Sequence, residues 1–368
     1  MLESLPPPID HFPSFLARLP SHIELEALAR SSKAFRRARG VWSGTDLLRL
    51  ALAWGPGGYS LQRVAAWAGE RDIARLTEDA LIQRLHAAGA FLEELTQQLL
   101  VRVGHTPCWH GRVLRVSDGT ALSAPGSAGT DWRVHGVYDL GSGRFAHLEL
   151  SDRHGGEALD RGAAVAGEVR IADRGYANAP SWQRFLQTCE ARSDFIVRMR
   201  WNAISLLDRD GARFDLIAWL LSRPVESETH EITAWARSGQ HQTPMKIRLI
   251  ARRKPAEGIA LAQKRSRQQA SRKQQQLDPR SLIAAEWLIL ATSLAGEDIP
   301  AAEILAVYRL RWQIELAFKR LKSLLHIGKL RTKTRDGTRC WLYAHLIVAL
   351  LGDDLSQDVL ESFPSGVV

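Results

Sequence analysis

Apolar residues recur at helical spacing through the first hundred residues, and the pattern changes to alternation after Pro107. Three stretches in this first part predict helices: 46–54, 60–69 and 77–104. Ser60 and Thr77 are suitable N-caps for the second and third. The first two helices, joined by a glycine-rich turn, have the outline of a helix-turn-helix, which reads DNA in many proteins. Two packed helices are also ordinary architecture, so the pattern allows both interpretations.

The alternating part of the chain predicts a sheet. We expect a strand over 112–122, two strands around a glycine turn within 134–150, and a strand over 168–176. The segment 156–166 is expected to form a short helix and 179–191 a longer one. Strands and helices in this order are typical of an α/β domain.

The remaining chain predicts more strands, a polar segment and strong helices. Strands are expected at 194–201, 230–237, 245–253 and 287–294, with 257–282 forming a helix or an exposed arm. The segment 301–325 has the strongest helical pattern, and a helix is expected over 340–355. These patterns divide the chain into four parts: a helical N-terminal domain expected to bind DNA (1–105), a sheet domain (106–192), a mostly β insertion with a basic segment (193–286), and the rest of the sheet domain with C-terminal helices (287–368).

Charge adds a candidate partner. The 368 residues include 49 Lys and Arg against 40 Asp and Glu, giving a net charge of +9 and a pI near 9.8. The stretch 246–280 alone has eleven basic and two acidic residues, which equals the whole net charge. A second basic cluster contains Arg30, Lys33, Arg36, Arg37 and Arg39. Such clusters favour nucleic acid over a membrane surface, although a single run is often just a solvated surface. The residues taken as DNA-binding candidates are Arg252, Arg253, Lys254, Lys264, Arg265 and Arg267.

Other compositional features narrow the class of protein. The three cysteines are far apart and form no CxxC pair, which argues against a disulfide scaffold or a zinc ribbon. The histidines have no HExxH or HxxxH spacing, so a zinc hydrolase is disfavoured. The N-terminus does not look like a signal peptide, and no apolar run is long enough to span a membrane. We therefore expect a soluble cytoplasmic protein associated with the nucleoid.

Polar residues cluster on one side of the predicted helix 301–325. At about 100° per residue, Tyr308, Arg311, Glu315 and Lys322 fall within an arc of about 60°, between apolar residues. A buried stripe of this kind needs partners. The simplest interpretation is a buried salt-bridge network in which Glu315 pairs with Arg311.

Two aspartates suggest chemistry instead. Asp118 and Asp173 lie at or near the ends of predicted strands, beside glycine-containing turns. Together with Glu315 they would provide the hard oxygen ligands that Mg²⁺ prefers. Two such ions can activate a hydroxyl group and stabilise the leaving oxygen in phosphodiester displacement. Asp131, Asp139 and Asp152 are alternatives, but their positions favour turn capping.

These residues resemble those of the bacterial cut-and-paste transposases of the insertion-sequence-4 type, which use DDE chemistry. The hallmark Y-x2-R-x3-E-x6-K is present as Tyr308, Arg311, Glu315 and Lys322. The aspartate blocks are SDGTALSAPG with DWRVHGVYDL, and IADRGYA. The block WLILATS also matches the family, and its first residue, Trp287, stands 28 residues before Glu315. The resemblance covers nearly the whole chain.

The resemblance implies a ribonuclease-H-like catalytic core, interrupted by the insertion, that cleaves DNA at transposon ends and joins the ends to target DNA. Asp118, Asp173 and Glu315 would bind two Mg²⁺ ions, or Mn²⁺. Tyr308, Arg311 and Lys322 would hold phosphates, and Trp287 would stack on an extruded base unless it is simply a core residue. The protein would act as a dimer assembled on DNA. A stand-alone DNA nuclease and an inactive DNA-binding derivative remain the alternatives.

Overall fold

A computed structural model describes residues 12–34, 40–41, 43–101, 107–127, 129–189, 192–224, 229–239, 243–325 and 330–362. Arg36, Arg37 and Arg39 of the predicted N-terminal basic cluster lie outside these residues. None of the helices in the described ranges is long and apolar enough to cross a membrane.

The first part of the chain is helical, as the apolar spacing predicts. Its helices are α1 (Phe12–Leu16), α2 (Leu25–Ser31), α3 (Gly44–Trp54), α4 (Leu61–Glu70), α5 (Glu78–Ala87) and α6 (Gly89–Leu100). Both predicted caps are confirmed, because Ser60 Oγ accepts from the Arg63 amide and Thr77 Oγ1 from the Ala80 amide. The predicted single helix 77–104 is instead two helices that meet at Ala88.

A mixed sheet follows, for which nine strands are described. They are β1 (Val113–Leu122), β2 (Trp132–Asp139), β3 (Arg144–Asp152), β4 (Glu168–Ala172), β5 (Asp194–Arg198), β6 (Leu206–Leu207), β7 (Thr229–Ala236), β8 (Met245–Arg253) and β9 (Trp287–Thr292). Their order is β3-β2-β1-β4-β5-β9-β8-β7-β6. β1 to β3 are antiparallel, β4 and β5 run parallel to β1, and β9 is antiparallel to β5. This arrangement is the expected ribonuclease-H-like α/β core.

Helices of the second part cover both faces of the sheet. They are α7 (Ala179–Gln187), α8 (Leu216–Leu221), α9 (Ala256–Arg272), α10 (Pro279–Ala285), α11 (Ala301–Tyr308), α12 (Trp312–Leu325) and α13 (Arg335–Ser362). One core cluster contains α12, α13 and the N-terminal helices, and the other contains α7 and α8. α13 packs against α3, α5 and α6. The N-terminal helices therefore share a core with the end of the chain.

The predicted insertion is continuous with the sheet. β5 lies between β4 and β9, and β8 pairs directly with β9. The segment 193–286 thus contributes four strands to the same sheet that holds β1. Its basic part forms the solvent-exposed helix α9, in which no residue is buried.

The predicted helix over 156–166 is wrong, because this segment is a loop. Its carbonyl groups bond to a buried arginine instead of to a helix backbone. Arg170 donates from Nη1 to the carbonyls of Leu159, Arg161 and Gly162 at 2.8–2.9 Å. Gly162, at φ 72°, also has a backbone conformation that does not belong to a right-handed helix.

Arg170 is also part of a fully buried charge network beneath the sheet. Its Nε donates to Glu168 Oε1 at 2.6 Å, and Arg115 contacts both Glu168 and Asp139. Arg115 and Arg170 are register partners on β1 and β4. Two cations and two carboxylates therefore compensate each other inside the sheet domain.

We predict that Arg170→Met destabilises the protein by about 3–5 kcal/mol, because it leaves a buried carboxylate undercompensated and removes the donor to the loop carbonyls. Urea unfolding measures this change. Arg184→Met is the control, since Arg184 forms a solvent-exposed ion pair with Asp160 that contributes little. Equal losses in the two variants would contradict the buried-network account.

Candidate active site

Asp118 and Asp173 both follow the point where pairing between two parallel strands ends. The last register pair of β1 and β4 joins Ser117 to Ala172. Asp118 is the next residue of β1, and Asp173 is the first residue after β4. Asp118 follows Leu114 and Val116 in the alternation of β1, on the face that packs against α12. Sequence order and strand register thus place both carboxylates at one sheet edge.

Asp173 accepts contacts from two other elements. Tyr308 Oη, at the end of α11, donates to Asp173 Oδ1 at 3.4 Å, and Arg198 Nη1, at the end of β5, lies 3.7 Å away. Asp173 precedes a short 3₁₀ turn (Arg174–Tyr176), but its side chain makes no capping hydrogen bond there. Its carboxylate is therefore not committed to the local turn.

Glu315 lies on α12 and pairs with the arginine one turn earlier. Arg311 Nη2 donates to Glu315 Oε1 at 2.5 Å. The charge of Arg311 also interacts with Asp173 and Asp118. Arg311 therefore interacts with all three predicted acids, and the salt bridge considered from the sequence is present.

Asp118 is held in an environment that disfavours its charge. Burial, with smaller contributions from the charges of Glu157 and Glu315, raises the pKa of Asp118 to about 6. The Gly119 amide, which donates to Asp118 Oδ1 at 2.8 Å, and Arg311 act in the opposite direction. A perturbed acid of this kind is typical of functional sites.

The predicted buried polar stripe is only partly correct. A 3₁₀ turn at Arg309–Arg311 separates α11 from α12, so one uniform helical angle does not apply across 301–325. Tyr308 is buried, whereas the Glu315 side chain is 54% exposed and Lys322 is exposed. The expected apolar flank is also open, because Trp312 and Leu316 are exposed. This edge of α12 faces solvent.

The oxygen atoms of the three predicted acids are suitable ligands for a divalent cation, although the three side chains do not converge on one position. Asp118, Asp173 and Glu315 offer hard carboxylate oxygens, and Asp118 and Glu315 repel each other in the absence of a cation. Within the described ranges, no three His, Cys, Asp or Glu side chains are close enough to share a metal ion.

Cations that sequence reasoning missed surround Asp173. Arg174 directly follows Asp173 in the chain, and Arg198 contacts it. Burial, and to a smaller extent the charges of Arg198 and Arg174, lowers the pKa of Lys254 to about 8. Lys254 Nζ donates to the Ala285 carbonyl at 2.5 Å. The strand register provides the signal for Arg198, because β5 is parallel to β4 and ends beside Asp173. Mutually repelling cations of this kind favour an anionic ligand.

A basic cleft continues from this group. Its volume is about 730 Å³, and its lining includes Arg252, Arg253, Lys254 and Arg309 over an apolar floor. Arg253 also pairs with Glu286 at 2.7 Å. The other three predicted cations, Lys264, Arg265 and Arg267, are exposed on α9.

Trp287 is a core residue in this structure. It begins β9, is 6% exposed and packs edge-on to His230 at 6.0 Å. Base stacking as inferred from the resemblance would require the ring to leave this core. The buried state follows from its place in the apolar run of a central strand.

The three alternative aspartates have the turn roles expected of them. Asp131 accepts from the Ala124 amide at 2.7 Å, and Asp152 from the His154 amide at 3.0 Å. Asp139 accepts from two amides of the following turn and belongs to the buried network.

A ribonuclease-H-like sheet with carboxylates at adjacent parallel strand ends is the arrangement of DDE transposases. The family described as transposase DDE domain matches residues 109–351. The chain belongs to this family and is therefore an enzyme of DNA transposition, a DDE transposase of the insertion-sequence kind.

Two sequence relatives of similar length support this assignment. The chain is 40% identical over 358 residues to the putative transposase InsL for insertion sequence element IS186A of Escherichia coli (strain K12), covering 96% of each chain. It is 40% identical over 359 residues to the transposase for insertion sequence element IS421 of Escherichia coli, again covering 96% of each. A solved piggyBac transposase synaptic complex with hairpin DNA aligns with 95% of this chain and 73% of that chain, at 8% identity and a TM-score of 0.47.

We predict that Asp118→Asn raises the melting temperature by a few degrees at pH 8. The folded-state pKa of about 6 lies above the ordinary value of 3.8, so the folded protein binds the proton more tightly and loses stability as the pH rises from 4 to 6. The neutral amide avoids this loss. The difference should shrink when melting is measured at pH 5, and an equal or lower melting temperature at pH 8 would contradict it.

Proposed function

We propose that this protein is a transposase of the insertion-sequence-4 type that binds the ends of its element, cleaves DNA there and joins the 3′-hydroxyl ends to target DNA. The catalytic carboxylates in this proposal are Asp118, Asp173 and Glu315. The observation that supports it best is the register of β1 and β4, which makes the two aspartates neighbours beyond the last strand pair. The interaction of both with Arg311, the partner of Glu315, adds the third acid.

Mg²⁺, or Mn²⁺, is the cofactor in this proposal, held by the three carboxylates. When bound, the two ions would polarise the scissile phosphate and lower the pKa of the attacking hydroxyl group. The chain must supply ionised ligands, and the exposed side chain of Glu315 has room to turn from Arg311 towards the aspartates. Release of Arg311 would leave a guanidinium group free to bind phosphate bidentately.

Phosphate positioning is assigned to four cations around the acids. Arg311 lies half-buried in the 3₁₀ turn before α12, Lys322 is exposed on α12, and Arg198 and Arg174 lie beside Asp173. Tyr308 donates to Asp173 and so orients that carboxylate. Alignment of the scissile phosphate by such contacts is a large part of phosphoryl-transfer catalysis.

DNA binding away from the acids is assigned to the basic cleft and to α9. Lys and Arg side chains bind the phosphate backbone independently of sequence. We also propose that the inserted unit begins after β5 and not at residue 193, because β5 is a central strand of the sheet. The partners in this proposal are duplex DNA at the transposon ends and target DNA, bound by a dimer.

The test is a cleavage and joining assay on the DNA that flanks the coding region. Asp118→Asn, Asp173→Asn and Glu315→Gln should each abolish cleavage while DNA binding is retained, because they remove an ionised ligand and not a phosphate contact. Asp152→Asn is the matched control, since Asp152 caps a turn. Normal cleavage by any of the three variants would contradict the assignment of that acid.

The same assay distinguishes a transposase from a stand-alone DNA nuclease. Transfer of the cleaved end to a second DNA molecule supports the transposase, whereas cleavage without joined products would indicate a nuclease. DNA binding without either reaction in the unmodified protein would indicate an inactive derivative.

We predict that replacing Lys264, Arg265 and Arg267 with Gln weakens binding to all DNA sequences alike. Each lost phosphate contact should reduce the slope of log K against log salt by about one unit. Titrations at several salt concentrations measure this slope, with Arg184→Gln on α7 as the control. A loss confined to one DNA sequence would indicate base reading by α9.

A further inference from the structure

An ion pair outside the proposed acids lies beside the two segments that carry the aspartates. Arg133 Nη1 on β2 is 3.3 Å from Glu157 Oε1, in the loop after β3, and each side chain is about one-quarter exposed. The charge of Glu157 acts on Asp118 and on the buried Tyr176. The pair therefore lies close to the acid edge without belonging to the hallmark residues.

Each partner of the pair contacts a glycine that is adjacent or nearly adjacent to an aspartate. A Cβ atom at Gly119 would lie 3.1 Å from Arg133 Cδ, and Gly119 directly follows Asp118. A Cβ atom at Gly175 would lie 1.5 Å from Glu157 Oε2, and Gly175 is two residues after Asp173. The pair thus connects the two segments that carry the aspartates.

Any side chain at position 175 would require Glu157 to move. The φ of Gly175 is not positive, so its backbone conformation is open to other residues. The restriction comes from Glu157, whose carboxylate occupies the space that any side chain at 175 would need.

The pair spans a gap that the sheet leaves open. Register pairing between β1 and β4 ends at Ser117 and Ala172, so backbone hydrogen bonds between these strands do not fix the aspartates beyond that point. The loop that carries Glu157 is itself held by Arg170, which donates to its carbonyls. Glu157 is therefore anchored from the core.

We propose that the Arg133–Glu157 ion pair is a positioning element that fixes the separation of the Asp118 and Asp173 segments, so that their carboxylates can share a divalent cation. Neither residue touches the DNA or the cation in this proposal. It rests on the proposed function, because it assigns a role to the pair only if the two aspartates are ligands.

The test compares Arg133→Ala, Glu157→Ala and the double variant. Each single change should weaken Mn²⁺ binding, followed by electron paramagnetic resonance, by about 10-fold to 100-fold, as expected for groups that orient metal ligands. The Mg²⁺ concentration for half-maximal cleavage should rise in parallel. The double variant should lose no more than the worse single variant, because the two residues act as a unit. Asp160→Ala is the control, since it breaks an ion pair elsewhere on the same loop.

Gly175→Ala gives an independent measurement. The added methyl group should displace Glu157 and reproduce the defect of Glu157→Ala, yet add little to that defect in the Gly175→Ala/Glu157→Ala protein. Melting temperatures of all variants should stay close to that of Asp160→Ala.

Three outcomes would overturn the proposal. Loss of Mn²⁺ affinity in Glu157→Ala but not in Arg133→Ala would make Glu157 a ligand in its own right. Lowered melting temperatures with normal Mn²⁺ affinity would make the pair merely structural. Unchanged binding and cleavage in both variants would give it no role. Failure of the proposed function is recognised separately, because the unmodified protein would then not cleave and join DNA, or Asp118→Asn would cleave it normally.

Discussion

The concentration of carboxylates at one end of two parallel strands is the constraint on which the rest of the site depends. Asp118 is largely buried at the end of the two strands and lies near the negative charges of Glu157 and Glu315. Burial, together with these charges, raises the pKa of Asp118 to about 6. Such an arrangement is unfavourable unless cations compensate it. Arg311 and Arg198 provide partial compensation, and a divalent cation would provide more.

The sheet resists this repulsion through charges of its own. Arg115 and Arg170 lie three residues before Asp118 and Asp173 and are register partners, so the same two strands that carry the acids are joined by Glu168 beneath. Arg170 also organises the loop from Leu159 to Ala163. Burial makes the ion pairs of Arg115 and Arg170 with Glu168 costly to break. These ion pairs therefore hold the two strand ends together, while the exposed side chain of Glu315 can change its conformation.

Much of the fold and the aspartates' placement can be predicted from sequence, because strand alternation and glycine-containing turns are local signals. Asp118 and Asp173 are examples, since each follows an apolar alternation. The break at Arg309–Arg311 and the exposure of Glu315 depend on tertiary packing, so helical periodicity overestimates the burial of that face. Arg170 explains the wrong helix at 156–166, because a side chain from a distant strand replaces backbone partners. Arg198 is found only once the register of β4 and β5 is known, and Glu157 only from its contact with Arg133.

The most direct measurement of the central claim is the anomalous scattering of Mn²⁺ in crystals of the protein bound to its end DNA. The account predicts a peak between the carboxylates of Asp118 and Asp173, with a second ion about 4 Å away and Glu315 turned from Arg311 to the metal. Mn²⁺ bound elsewhere, with the carboxylates of Asp118 and Asp173 more than about 10 Å apart, would contradict a shared two-metal site.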